Sequence, residues 1–76
     1  MYMEKFETSD LYLTAYLKSK GMKMVGTKKG GRRVTFIFED NIERQTYVDE
    51  FFNHGTVDIT DFKNIAQDLK TLIFNT

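Results

Sequence analysis

His54 is the only histidine in the sequence, and so the only side chain whose ordinary titration falls near neutrality. A general base or a metal ligand works with partners at fixed spacing: a nucleophile, a second imidazole, or carboxylates. His54 stands instead between Asn53 and Gly55, a sequence that reads as the end of a helix, where a cation is favoured by the helix dipole. Capping or plain exposure accounts for it. The acidic pairs are Glu39-Asp40, Asp49-Glu50 and Asp58 with Asp61. Asp40 and Glu43 have the spacing of a capping box, and Asp49-Glu50 suit the solvated face of a helix. Asp58 and Asp61 lack the glycine-punctuated loop of a calcium site. The glycines from Gly26 to Gly31 lack the spacing of a nucleotide-binding loop and lead into a strand rather than a helix. No cysteine is present, so no disulfide, thiolate metal site or cysteine nucleophile is available. These residues point to a protein that is not an enzyme and that uses no cofactor and no metal.

The remaining chemistry is electrostatic. Formal net charge is zero, but the charges are segregated along the chain. Between Leu11 and Phe38 there is no acidic residue, while Lys18, Lys20, Lys23, Lys28, Lys29, Arg32 and Arg33 make this stretch +7. The ten residues before it carry −2 and the rest of the chain −5. Sign asymmetry of this kind is a statement about partners, which the chain average hides. The densest part, Lys28-Lys29-Gly30-Gly31-Arg32-Arg33, is a candidate contact for an anion or a nucleic acid, since a ribbon tipped with cations can clamp phosphates. Charged tips also serve plain solvation and protect strand edges. No aromatic residue lies between positions 23 and 33 to stack on a base, which argues against single-strand binding.

These charges sit on a β-hairpin over Gly21 to Asp40, where two apolar runs flank Gly30-Gly31. Two registers compete. A two-residue turn at Gly30-Gly31 places Lys23 beside Phe38 and so mixes a charge into the aromatic face. A three-residue loop, Lys29 to Gly31, puts Met22, Met24 and Gly26 with Val34, Phe36 and Phe38, and is preferred for its clean core face. The other face then holds Lys23, Val25, Thr27, Arg33, Thr35 and Ile37. Val25 and Ile37 leave it half apolar, which makes them candidate interface residues for a homodimer.

Before the hairpin, residues 2 to 7 read as a short edge strand with Phe6 inward. Thr8-Ser9-Asp10 then offers a hydroxyl N-cap with Asp10 in the first turn of a helix. Leu13, Tyr16 and Leu17 share a face of that helix, widened by Leu11, Tyr12 and Ala15, and Gly21 supplies its left-handed end. After the hairpin, Asp40 is expected to cap a second helix that buries Tyr47, Val48, Phe51 and Phe52. A third helix starts at Asp58 or Thr60, with Phe62, Ile65, Ala66, Leu69, Leu72 and Ile73 at helical spacing. Phe36 and Leu69 centre the two apolar faces. The four methionines are expected to fill core gaps. Tyr2, Tyr12, Tyr16 and Tyr47 are placed at the core margin with hydroxyls outward. The expectation is a single α+β domain over residues 1–76, in the order (β)-α-β-β-α-α, its small antiparallel sheet packed against three helices.

The spacing Phe6-x-Thr8-x-Asp10-Leu11-x-Leu13-x-Ala15-x-Leu17, with Gly21, Val34-x-Phe36-x-Phe38 and Phe51-Phe52-Asn53, resembles a family of short bacterial and phage proteins known only as a domain of unknown function. The resemblance spans nearly the whole chain and implies a cytoplasmic protein of bacterial, phage or mobile-element origin. It carries over no catalytic or binding residues. Met22 and Met24 stand where the family places bulkier side chains.

No apolar run approaches the ~20 residues that cross a bilayer, and the N-terminal residues lack the layout of a signal peptide. A soluble, cytoplasmic interaction module is therefore expected, a phage or mobile-element accessory protein that binds a host protein. The alternative is a nucleic-acid-binding protein that uses the basic hairpin tip.

Overall fold

The computed structural model describes residues 4–53 and 55–74. Its elements are β1 (Lys5–Thr8), α1 (Leu11–Ser19), β2 (Met24–Gly30), β3 (Arg33–Glu39), α2 (Arg44–Phe52) and α3 (Ile59–Phe74). The α+β order is the expected one. Tyr2 and Met3 of the anticipated first strand, together with Met1 and His54, lie outside the described residues. Among the described residues no helix is long and apolar enough to cross a membrane.

The sheet is antiparallel, in the order β1-β3-β2, so β3 is the central strand. β1 pairs with only the second half of it, from Lys5 opposite Glu39 to Thr8 opposite Phe36. Phe6 lies opposite Phe38 and turns inward as the pattern predicts. β2 covers nearly all of β3, but in neither of the two registers weighed above. Gly30 pairs with Arg33, so the loop is Gly31-Arg32, and Gly31 takes the positive φ of 62° that the reversal needs. The pairing then runs through Lys28 with Thr35 and Gly26 with Ile37, and slips at Val25 so that Met24 meets Phe38. Side chains alternate between faces along a strand, so an unbroken register would put Met24 and Thr27 on opposite faces. The bulge at Val25 absorbs one residue and returns Met24 to the core side with Val34, Phe36 and Phe38. Gly26 moves to the outer face and Thr27 to the inner one.

Helix α1 lies at the centre of the molecule. Five consecutive residues, Leu13 to Leu17, are buried, and both α2 and α3 pack on the helix. Leu13, Ala15 and Leu17 join Met22, Phe36, Phe38, Ala66 and Leu69 in one cluster. Phe36 and Leu69 are each 1% exposed, as the two apolar faces require. Asp10, not a hydroxyl residue, caps α1: its carboxylate accepts from the Tyr12 and Leu13 amides at 2.9 and 3.0 Å. Thr8 instead accepts from the Asp10 amide. Gly21, at φ 94°, follows the Lys20 cap as expected.

Three other expectations are corrected. Tyr16 is wholly buried, and its hydroxyl has no hydrogen-bond partner among the described residues; it is packed against Gly55, where a Cβ would collide with it. Phe52 is 67% exposed, although α2 packs on α1. Tyr47, Val48 and Phe51 reach the core cluster, while Phe52 stands edge-on to Phe51 at 5.1 Å. Leu72, at the margin of the α3 stripe, is 40% exposed. In α3 the Asp58 carboxylate accepts from the Asp61 amide at 2.9 Å, the bond of an N-cap.

Candidate functional site

β3 has two unlike ends, and the cationic side chains divide between them. At its C-terminal end Asp40 does not cap α2. Its carboxylate takes Arg44 Nε at 3.1 Å and Nη2 at 3.3 Å, plus the Asn41 amide at 2.9 Å. A forked, charge-assisted bond of this kind outcompetes a single backbone amide, so the capping box does not form. Glu43 stands at the cap position without a side-chain bond to the helix amides, and its carboxylate instead accepts from the Tyr47 hydroxyl at 2.8 Å. The Arg44 guanidinium also lies 4.6 Å from the centre of the Phe6 ring. Chiefly through the Arg44 bond, Asp40 is held below the usual carboxylate range despite its partial burial. The Tyr47 hydroxyl is pushed up, first by its bond to Glu43. This corner closes on its own chain.

At the N-terminal end β3 meets the hairpin tip. The four cations that the sequence singles out there do not form one patch. Lys28 crosses the outer face of β3 to meet Glu7 of β1 at 2.9 Å, an exposed pair. Lys29 lies opposite Val34 on the inner side of the ladder. Arg32 is in the loop, and Arg33 opens β3. Neither arginine has an ion pair among the described residues. Together they line a cleft of about 410 Å³, whose other walls are Ser9, Leu11, Val34, Phe36 and Ile73.

The apolar walls of this cleft were not legible as a site. Leu11 and Ile73 belong to helical core stripes and Val34 to the sheet's inner face, so each alone reads as packing. They frame a hollow because β1 stops at Thr8 and the chain turns into α1, leaving the first residues of β3 paired with β2 on one side and without a strand on the other. Ser9 crosses this gap at Thr35, its hydroxyl 3.2 Å from the threonine hydroxyl.

The other basic residues of the acid-free stretch lie elsewhere. Lys20 sits at the far end of α1, where its ammonium donates to the Thr56 carbonyl at 3.1 Å and lies over the Tyr16 ring. Nine residues of helix, about 13 Å, separate it from the end of α1 that borders the cleft. The proposed interface residues are also separated in character. Ile37 is half-buried in the central strand, opposite Glu7 and Gly26. Val25 stands out at the bulge, 43% exposed. Among the described residues no group of three or more His, Asp or Glu could hold a metal ion.

Over residues 3–75 the sequence matches a family described as a domain of unknown function (DUF5659), and the chain belongs to that family. No curated protein and no solved structure matches it.

Proposed function

We propose that this family member is a non-enzymatic interaction module whose partner is a protein, bound at the cleft between the hairpin tip, the start of α1 and the last turn of α3. The observation that carries the reading is Arg32 and Arg33 standing without ion pairs, among the described residues, on the rim of an apolar-walled cleft. Two cations beside apolar walls suit an acidic segment with an apolar side chain, and a few polar groups on an apolar floor are the usual make-up of a ligand site. A duplex asks for a continuous track of cations. Here Lys28 is turned to Glu7 and Lys20 is held about 13 Å away. The setting that goes with this reading is the cytoplasm of a bacterium, with a host protein as the target of a phage or mobile-element accessory protein.

The test is a pair of titrations at 50 and 200 mM salt, one with a mixed-sequence DNA duplex and one with a pool of short acidic-apolar peptides. Peptide binding that is lost on reversing Arg32 and Arg33 supports the protein-partner reading. Duplex binding at 50 mM salt that collapses at 200 mM would replace it with the nucleic-acid reading.

Self-association is a second reading, favoured by the exposed Val25 beside a hollow of about 240 Å³ lined also by Glu4, Lys5 and Glu39. Light scattering at high micromolar concentration decides it: a monomer mass ends the idea.

A further inference from the structure

The ladder pattern says how a partner would enter the cleft. In an antiparallel sheet, successive residues of a strand direct their main-chain groups to alternate sides. The Glu39 amide donates to Lys23 on the β2 side, and the Asp40 amide donates to Glu4 on the β1 side. Odd-numbered residues of β3 therefore bond toward β2 and even-numbered ones toward β1. Phe38 and Phe36 find Phe6 and Thr8 there. Val34 is the next in that series, but β1 has already ended. No hydrogen bond to the Val34 main chain on that side exists among the described residues. Its N–H and C=O thus face the place where the cleft lies, and Val34 is itself part of the cleft wall.

We infer that the cleft takes an extended acidic segment of a partner protein, which adds to β3 as a short strand in line with β1 and antiparallel to β3. The inference rests on the protein-binding reading above and names the partner's conformation and sequence. Continuing the register of β1, one incoming residue pairs with Val34 and exchanges both main-chain bonds with it. Its side chain falls on the inner face, as those of Phe6, Thr8, Val34 and Phe36 do, against Leu11, Phe36 and Ile73. That residue is apolar. The following residue lies opposite Arg33 and shares its face, where a carboxylate forms a cross-strand pair. The one after it reaches Arg32, so the motif is an apolar residue followed by one or two acidic residues. A cleft of about 410 Å³ is near the lower end of ligand-pocket sizes, room for a short stretch of chain and not for a folded surface.

The experiment uses the intact chain, ¹⁵N-labelled, and an end-blocked peptide Leu-Asp-Asp-Thr-Thr, which begins opposite Val34 because Thr8 and Ser9 already hold the places opposite Phe36 and Thr35. Two controls are the same composition with the leucine moved after the aspartates, and the first peptide N-methylated at leucine. Strand addition predicts that the Val34 amide slows in hydrogen exchange on saturation with the first peptide. It also predicts weaker binding of the N-methyl peptide by about two- to tenfold, the worth of one main-chain bond. The reordered peptide and the Arg32→Glu/Arg33→Glu double variant should each bind at least about tenfold more weakly. If the peptides bind through the arginines but Val34 stays unprotected and N-methylation changes nothing, strand addition is wrong and the protein-binding reading stands. If no peptide binds and the DNA duplex does, both are overturned. Dispersion of the amide spectrum shows in every case that the variant is folded.

Discussion

The two ends of β3 carry arginines of opposite behaviour. Arg44, beyond the C-terminal end, is gripped by Asp40 and lies over Phe6, and β1 runs alongside to complete the ladder. Arg32 and Arg33, at the N-terminal end, have no ion pair among the described residues, and there the ladder lacks its outer strand. The same residue type therefore holds the fold at one end and stands ready for another molecule at the other. What differs is the surrounding chain. One end has a carboxylate four residues before the arginine, within reach across the turn that leads into α2. The other lies in the middle of 28 residues without an acid. Local charge pairing, read with the ladder, separates a structural cation from an available one.

The comparison breaks altogether if the floor common to sheet and helices is removed. Phe36 is 1% exposed and belongs both to the core cluster and to the cleft wall. Phe36→Ala should cost about 3–5 kcal/mol. A domain of this length has roughly 4–11 kcal/mol in all, so much of its stability is lost. Urea unfolding followed by circular dichroism measures it. Next in size is the closed end: Arg44→Met leaves the part-buried Asp40 carboxylate without its forked partner and should cost about 1–3 kcal/mol in the same assay.

The pH dependence sharpens the contrast. Asp40 is held below its ordinary value by Arg44, so the unfolded chain takes up this proton at a higher pH than the folded one. The stabilisation is complete above the unfolded value, about 3.9, and is lost as pH falls through the lower folded value. Asp40→Asn should therefore be less stable than the natural sequence at pH 7, with the gap narrowing below about pH 4. The smallest effect belongs to the open end: Arg32→Glu with Arg33→Glu should shift stability by no more than about 0.5 kcal/mol, while binding is lost. A loss as large as that of Arg44→Met would make the tip arginines structural and erase the distinction.

Much of this was legible in the sequence. Helical periodicity gave α1 and α3, Gly21 marked the end of α1, and Phe6 pointed to the inner face of an edge strand. The hairpin register was not legible, because alternation preserves parity only while no residue is inserted. One bulge at Val25 moves Gly26 outward and Thr27 inward without any change in the apolar pattern. The capping box at Asp40 failed for a related reason: the spacing was present, but Arg44 offered the carboxylate a stronger partner. Of the site, the arginines were visible as charge. The cleft beside them depends on where β1 stops and on Ile73, forty residues beyond Arg33, and so belongs to tertiary structure.

Native-state hydrogen exchange of the β3 amides in the free protein tests the open end of the strand most directly. The Phe36 and Phe38 amides, bonded to β1, should exchange slowly, and Val34 orders of magnitude faster although it lies within the same strand. Protection of Val34 equal to that of Phe38 would contradict this, since the edge on which the site depends would then already be occupied.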